Sequence, residues 1–465
     1  WADISPSGKR AVFEARGEIF SVPAKHGVVR NLSRSSGAAE RFPAWSPDGA
    51  QIAVWSDASG EYELQLIPVE GGEPRTLTSL GAGFRYRPFW SPDSTKIAFI
   101  DHTQTIRIFE LATSRFTEVD RERWLLHPGL QDVELSWSAD SRWLAYSRRL
   151  EVTEAIFVFD TATATRHQLS SGYFSDSDPV FDPDGKYLYY LSNRELEPVY
   201  SDLDSTWVYP NTTRVVAVPL RGDVPSPLAP RNDDEELEAD DGDDEEGGEN
   251  ADTKGKQEGK NAKNEDEDDD DEETPEPVTI EIEGFEARAV VLPPAAGNYA
   301  DLAAVSGKLV LHRAPRTGAA DEEAPIVLYD LEEREEKTVL DDADGFALSA
   351  DGSKMLVSSE DTWAIVDVAP EQKIGGAGEE DTRLEASRLE MSLDPRAEWR
   401  QIFVEVGRIY RDFFYDPNLH GLDWEGLRAR YGALLDDAVT RWDLNFLIGE
   451  LIGEVSASHT YVGGG

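Results

Sequence analysis

Two adjacent side chains near the end of the sequence, Ser458 and His459, are of the types that transfer protons. An unperturbed imidazole titrates close to neutral pH, so a histidine at the edge of a folded unit can act as a general base. The apolar stretch LIGELIGEV before the pair predicts a helix that leaves both side chains at such an edge. From the spacing alone, a capping serine beside a surface histidine is the favoured interpretation, and catalysis is the alternative.

Several other chemistries have no motif in this sequence. It contains no GxSxG nucleophile elbow and no HExxH zinc motif. It also contains no cysteine, which excludes disulfides, thiolate metal ligands and a cysteine nucleophile. We therefore predict neither a metal site nor a cofactor.

Three amphipathic helices are predicted to carry the Ser–His pair. Tyr415 to Gly421 separates the first from the second, and Asp423 and Asp443 are predicted to cap the second and third. Three helices make a marginal core alone, so they are expected to be one lobe of something larger. The predicted apolar stripes comprise Trp399, Ile402, Phe403, Val406, Ile409, Tyr410 and Phe413; Trp424, Leu427, Tyr431, Leu434 and Leu435; and Leu444, Leu447, Ile448, Leu451, Ile452 and Val455.

The long stretch before the helices is built from repeats. Equivalent turn residues at Ser5, Ser46, Ser91, Ser138 and Asp182 are spaced by 41, 45, 47 and 44 residues, the length of one propeller blade. Each copy has an aromatic residue, a turn of the type WSPDG and then β-rich runs. Two weaker copies, around residues 304 and 349, bring the total to seven.

We therefore predict a mainly β fold, a seven-bladed β-propeller of four-stranded blades over residues 1–372, followed by a linker over 373–390 and a small α-helical subdomain over 391–465. A pair of open β-sandwiches is the alternative, but it does not explain a turn motif at a constant period. Calcium binding at the WSPDG turns is a weaker hypothesis, because turn chemistry alone accounts for them.

The charge of the chain limits its partners. The formal net charge is −47, which disfavours nucleic acid and anionic lipid. Part of the excess is local, since residues 233–273 contain 23 acidic residues and 4 lysines. The acidic insertion, residues 231–274, is predicted to be disordered, and a solvated loop is favoured over a cation-binding or docking role.

Membrane-spanning and signal sequences would indicate where in the cell the protein is found. No apolar run is long enough to span a membrane, and WADISPSGKR has no apolar signal core. We expect a cytoplasmic location. Trp1 is not an initiator residue, and we expect that both ends are cut, so a signal or further domains could have been removed with them.

The helical end also carries a family resemblance. The stretches AEWRQIFVEVGRIYRDFFYDPNLHGLDW and WDLNFLIGELIGEVSASHTYV resemble the first half of the catalytic core of tricorn proteases, tail-specific serine peptidases. A WSPDG-type propeller before this core fits the same family. The resemblance implies that His459 is the general base and that Ser458 links its ring to a distal glutamate and so orients it. The nucleophilic serine, that glutamate, the oxyanion hole and a PDZ domain are implied to lie in a later part of such chains.

The resemblance implies a peptidase that takes oligopeptides through the propeller, assembles as a hexamer and cooperates with aminopeptidases. This chain alone is expected to be inactive, because it carries only the base and its orienting residue. The acidic insertion is outside the family pattern. Two other interpretations stay open at this point: a TolB-like propeller that binds proteins without catalysis, and a non-peptidase hydrolase on the same fold.

Overall fold

A computed structural model of the 465-residue chain describes residues 1–123, 125, 127–195, 199–200, 208–209, 211–231, 275–317, 319, 322–376 and 381–464. Seven antiparallel sheets follow one another along these residues, and a helical subdomain comes after them. The predicted fold class is confirmed. Among the described residues, no helix is long and apolar enough to cross a membrane.

The first four blades run in chain order, each a meander of four strands. Blade 1 has β1 (Ala2–Ile4), β2 (Arg10–Ala15), β3 (Glu18–Pro23) and β4 (Arg30–Asn31); blade 2 has β5 (Glu40–Trp45), β6 (Gln51–Ser56), β7 (Glu63–Pro68) and β8 (Arg75–Thr76). Blade 3 has β9 (Phe89–Trp90), β10 (Lys96–Ile100), β11 (Thr105–Glu110) and β12 (Arg115–Arg121); blade 4 has β13 (Leu135–Trp137), β14 (Trp143–Arg149), β15 (Glu154–Asp160) and β16 (Thr165–Gln168).

The remaining blades hold the additions to the repeat. Blade 5 has β17 (Asp176–Phe181), β18 (Tyr187–Asn193), β21 (Thr213–Pro219) and β22 (Val290–Val291), with the hairpin β19 (Val199–Tyr200) and β20 (Val208–Tyr209) inserted. Blade 6 has β23 (Asn298–Val305), β24 (Lys308–Ala314), β25 (Ile326–Asp330) and β26 (Glu335–Leu340); blade 7 has β27 (Gly345–Leu348), β28 (Lys354–Ser359) and β29 (Thr362–Asp367). The acidic insertion falls between β21 and β22, and residues 232–274 lie outside the described residues.

The repeated turn has the same geometry in successive blades. The buried Ser46 hydroxyl donates to Asp48 at 2.5 Å and accepts from the backbone N–H of Gln51 at 3.0 Å. Gly49 follows with a φ of 76°, a left-handed conformation that favours glycine. Ser91 and Asp93 repeat the bond at 2.5 Å, so the motif is explained by turn chemistry.

Blade 7 departs from the prediction of four strands, since β27 to β29 form a three-stranded sheet. Residues 382–384 lie along its outer edge, where the N–H of Leu384 donates to the carbonyl of Trp363 at 2.8 Å. The ring closes by packing of side chains from blade 1 against blade 7, among them Ile4, Phe13 and Leu356. The propeller is therefore closed without exchange of strands between its first and last blades.

Three α-helices form the end of the chain: α1 (Pro395–Phe413), α2 (Trp424–Gly432) and α3 (Arg441–Gly453). Asp394 caps α1 and Asp423 caps α2, the second as predicted. The helices share a core that includes Phe403, Trp424 and Leu451. This core is small, as expected for a lobe that needs a neighbour.

Three details of the helical prediction were wrong. Asp443 is not the cap of α3; Thr440 is, and Asp443 is its partner in a capping box. Leu434 lies beyond the end of α2 and is exposed, because that helix stops at Gly432. Ile409 is 41% exposed although it falls on the apolar stripe of α1. The predicted apolar stripe therefore does not coincide with the buried face of α1 at this position.

Candidate active site

Ser458 and His459 lie on a turn that begins directly after α3. Helix α3 ends at Gly453, and both side chains are exposed to solvent. Ser456 has a φ of 54° and His459 a φ of 60°, so two non-glycine residues of this turn adopt the left-handed conformation. Such backbone conformations cost about 1 kcal/mol or more of conformational free energy and cluster at functional sites. The turn leaves the imidazole exposed to solvent.

Two contacts hold the first residues of this turn in place. Val455 is fully buried in the helical core, and its carbonyl accepts a hydrogen bond from Nδ1 of His420 at 2.9 Å. Because a carbonyl can only accept, the His420 ring carries a proton on Nδ1. The Tyr415 hydroxyl contacts the other ring nitrogen. His420 therefore positions the turn that carries His459.

The motif HGLDW, residues 420–424, ties this turn to α1. Its last residue, Trp424, is buried and donates from Nε1 to the carbonyl of Gly407 in the middle of α1, at 3.0 Å. Its first residue, His420, holds the Val455 carbonyl. The two stretches that carry the family resemblance are in direct contact.

The surroundings of His459 show which groups lie near its ring. The hydroxyl of Tyr461 lies 3.5 Å from Nδ1 of His459. Within the described part of the chain, no carboxylate pairs with this ring and no hydroxyl other than Tyr461 approaches it within hydrogen-bond distance. The same residues contain no group of three or more His, Asp or Glu that could hold a metal ion. The arrangement can supply a general base, and it lacks a nucleophile beside that base.

Helix α1 carries this lobe against blade 2 through a buried network of charges. Nη1 of Arg408 lies 2.5 Å from Asp57 and 3.2 Å from Glu405. Glu405 also accepts from the Tyr62 hydroxyl at 2.9 Å and lies 3.1 Å from Arg41. Each carboxylate is thus matched by a guanidinium or hydroxyl donor, as buried charges require.

Two further ion pairs flank the network. Arg411 binds Glu61 with both terminal nitrogens, at 2.5 and 3.0 Å, and Arg16 of blade 1 binds Glu398 near the start of α1. Partial burial of Glu61 opposes its ionisation, but the guanidinium groups of Arg411 and Arg408 hold its pKa below the ordinary value. Charge–charge contacts therefore fix α1 along blades 1 and 2.

Two family models match this chain. The model described as the tricorn protease second beta propeller domain matches residues 1–369, and the model described as the tricorn protease C1 domain matches residues 395–453. The chain belongs to the tricorn protease family. The match to the C1 domain ends five residues before Ser458.

Relatives and a solved structure agree with this assignment. Tricorn protease homolog 1 of Streptomyces coelicolor is 30% identical over 469 residues, which is 96% of this chain and 41% of the relative. Tricorn protease of Thermoplasma volcanium is 26% identical over 375 residues, 77% of this chain and 32% of the relative. The crystal structure of the tricorn protease superposes over 100% of this chain and 42% of that one, with a TM-score of 0.77 and 20% identity, and so has the same fold. This tricorn-family chain spans less than half the length of these relatives.

The residues that position the site were not predicted from the sequence. Arg408 and Glu405 lie outside the predicted apolar stripe of α1 and received no role, yet both are buried. His420 was part of a recognised motif and received no role. A signal existed for α1, since charged residues recur at Glu398, Glu405, Arg408 and Arg411 with helical spacing, which predicts a second, polar contact face.

Proposed function

We propose that this chain is the second propeller and the first catalytic subdomain of a serine-type peptidase that cleaves oligopeptides. In this proposal His459 is the general base and Ser458 orients it. The observation that carries the proposal is the exposed His459 on a left-handed turn that HGLDW anchors to α1. An imidazole so placed can be reached by a second lobe of the protein.

The chemistry follows from what an alcohol nucleophile needs. A serine hydroxyl is a weak nucleophile near neutral pH, so a neighbouring base must take its proton as it attacks the peptide carbonyl. The same base then returns a proton to the leaving amine, and a third group keeps the imidazole in the right tautomer. We assign the base to His459 and expect the nucleophile and the distal glutamate to come from residues outside this sequence.

The propeller is proposed to conduct substrate. A cavity of about 480 Å³ lies on its axis and is lined by innermost residues of several blades, including Ala2, Asp178 and Asp301. Carboxylates predominate among the charged residues of this lining, and Arg87 pairs with one of them, Glu134, at 2.7 Å. An acidic passage favours peptides with a positive charge over anionic ones.

The proposal includes the assembly and the location that the family resemblance implies. These are a hexamer, cooperation with aminopeptidases that finish the released peptides, and a cytoplasmic location. Light scattering of the chain, alone and extended, tests the hexamer, and a monomer in both cases removes that part of the proposal. The assignment of His459 does not depend on it.

The test of the function compares two proteins: the 465-residue chain, and the same chain extended at its C-terminus by the rest of its reading frame. Fluorogenic peptides are expected to be cleaved by the extended protein and not by the 465-residue chain. If the extended protein binds peptides or proteins but cleaves neither, the proposal is wrong and a propeller that only binds partners is favoured. Cleavage by the 465-residue chain alone would place the nucleophile within that chain. It would contradict the proposal that the catalytic residues are divided between this chain and its C-terminal extension.

A further inference from the structure

A second cavity, of about 220 Å³, lies where the propeller meets α1. Its walls come from both domains: Phe42 and Phe84 from the propeller, and Ile409 and Phe413 from one face of the helix. The ring of Phe84 contacts a ring from each domain, with its centroid 6.3 Å from that of Phe42 and 5.7 Å from that of Phe413. This cavity is separate from the turn that carries Ser458 and His459.

The cavity explains why Ile409 is exposed. Glu405, Ile409 and Phe413 are spaced by four residues and so lie on the same face of α1, the face that is docked on blade 2. Glu405 is buried at that contact, whereas Ile409, one turn further along, keeps 41% of its surface exposed and lines the cavity. Removing exposed apolar surface from water is favourable, so a ligand that covers Ile409 would gain binding affinity from this burial.

Ring contacts and an ion pair hold the walls of the cavity together. His127 stacks on Phe413 with ring centroids 4.7 Å apart. Arg41 lies 5.7 Å from the centre of the Phe84 ring and is held 3.1 Å from Glu405. Rings whose faces and edges are fixed in this way favour an incoming aromatic or branched aliphatic side chain. A cavity of about 150 Å³ already accommodates benzene, so about 220 Å³ is enough for a phenyl group with its methylene.

The cavity is also next to the proposed path of the substrate. Trp1 and Gln131 line both this cavity and the axial cavity of the propeller. The Gln131 carboxamide has no hydrogen-bond partner among the described residues. A free amide on the shared rim can hydrogen-bond the main chain of a peptide while a side chain of that peptide enters the aromatic cavity.

We propose that the cavity formed by Phe42, Phe84, Ile409 and Phe413 is a subsite that takes one bulky apolar side chain, such as Phe, Tyr or Leu, of an extended peptide at the inner end of the propeller channel. The inference rests on the proposed function for the identity of the ligand as a peptide. It adds a preference for bulky apolar residues at a position away from the bond that is cleaved.

Binding to the 465-residue chain tests the subsite without any need for catalysis. The probes are two capped pentapeptides, acetyl-Gly-Gly-Phe-Gly-Gly-amide and its Ala counterpart, and the readout is the NMR signal of the Ile409 δ1 methyl group. We expect the Phe peptide to bind about tenfold or more tightly than the Ala peptide, and to show nuclear Overhauser effects to this methyl. Equal affinities, or effects confined to other isoleucines, would overturn the proposal.

Variants at Ile409 give an independent result. Ile409→Trp fills the cavity and is expected to lower the affinity for the Phe peptide to that for the Ala peptide. Val439→Trp, at a position that is 72% exposed and does not line the cavity, is the matched control and should leave both affinities unchanged. Ile409→Ala covers the case in which the larger residue disturbs docking of α1, because alanine preserves the helix. This variant should bind the Phe peptide severalfold more weakly and leave the affinity for the Ala peptide unchanged.

The two proposals can fail separately. If the short chain binds the Phe peptide as described but the extended protein cleaves nothing, the subsite is supported and the proposed peptidase function is wrong. If the extended protein cleaves peptides but the short chain does not distinguish Phe from Ala, the subsite is wrong and the peptidase function is unaffected.

Discussion

The guanidinium of Arg408 lies 2.5 Å from the carboxylate of Asp57, and the two side chains are only 4% and 3% exposed. Arg408 belongs to α1 and Asp57 to the loop after β6, so the pair joins the helical subdomain to the propeller. A buried pair of this kind contributes little net stability compared with apolar packing, but losing one partner leaves an uncompensated charge. The pair therefore fixes where the helical lobe sits.

Replacement of Arg408 is expected to detach the lobe. Arg408→Met leaves Asp57 buried without its cation, whereas Glu405 keeps Arg41, and we expect the free energy of unfolding to fall by about 3–5 kcal/mol. Urea unfolding followed by circular dichroism at 222 nm, where the helices dominate, measures this loss. Arg400→Met on the same helix is the control, because Arg400 and its partner Asp436 are 58% and 74% exposed, and it should cost less than about 1 kcal/mol. Equal losses in the two variants would show that the buried network does not dock α1.

The capping box of α3 gives a second prediction. The Thr440 side chain accepts from the N–H of Asp443, and the Asp443 carboxylate accepts from the N–H of Thr440 at 2.8 Å. Thr440→Ala is expected to destabilise the lobe by about 1 kcal/mol, whereas Thr440→Ser, which keeps the hydroxyl, should lose only a few tenths. The same unfolding assay compares them, and an alanine variant as stable as the serine variant would contradict the assignment of Thr440 as the cap.

A buried carboxyl in blade 2 predicts a dependence on pH. Burial raises the pKa of Glu40 from 4.5 to about 7, although the Ser35 and Ser56 hydroxyls donate to it. The folded state therefore binds more protons than the unfolded state between these values. The free energy of unfolding should fall as pH rises from about 4.5 to 7, by up to about 3 kcal/mol from this group.

Glu40→Gln removes this contribution. The difference in stability between the variant and the wild type should move in favour of the variant between pH 5 and pH 8, as measured by urea unfolding at both values. Glu425→Gln, at a side chain that is 73% exposed, should follow the wild type. Parallel pH profiles for Glu40→Gln and the wild type would show that Glu40 does not titrate in this range.

His420 is predicted to hold the turn that presents His459. His420→Ala removes the hydrogen bond to the Val455 carbonyl, and a bond of this kind is worth about 1 kcal/mol. We expect backbone amides of residues 455–460 to exchange with solvent deuterium several times faster, as measured by mass spectrometry. His26→Ala, an exposed histidine of blade 1, is the control. Unchanged exchange in the His420 variant would mean that the turn is held by the packing of Val455 alone.

The sequence was most informative where a local rule repeats. The WSPDG-type turns recur at steps of 41 to 47 residues, and each forms from side chains within its own turn, so the number and order of the blades could be predicted. The cap at Asp423 and the break over Tyr415 to Gly421 between the first two helices were also local and were confirmed. The three-stranded blade 7 was missed, because the strand that would complete it has no signal in the repeat.

The long-range contacts could not be predicted in this way. The burial of Arg408 depends on Asp57, which lies 351 residues earlier, and no local pattern indicates that two such residues meet. The exposure of Ile409 depends on a cavity between two domains, which a helical period alone does not reveal. The roles of Ser458 and His459 came from a family resemblance, and they stay a prediction.

The most direct test of the account is the activity of the C-terminally extended protein with His459→Ala. If His459 is the general base, kcat/KM for fluorogenic peptides should fall by about 10²- to 10⁴-fold, while His26→Ala retains the wild-type value. Both variants should unfold at the same urea concentration as the wild type, since both side chains are exposed. Wild-type turnover by the His459→Ala protein would contradict the central claim.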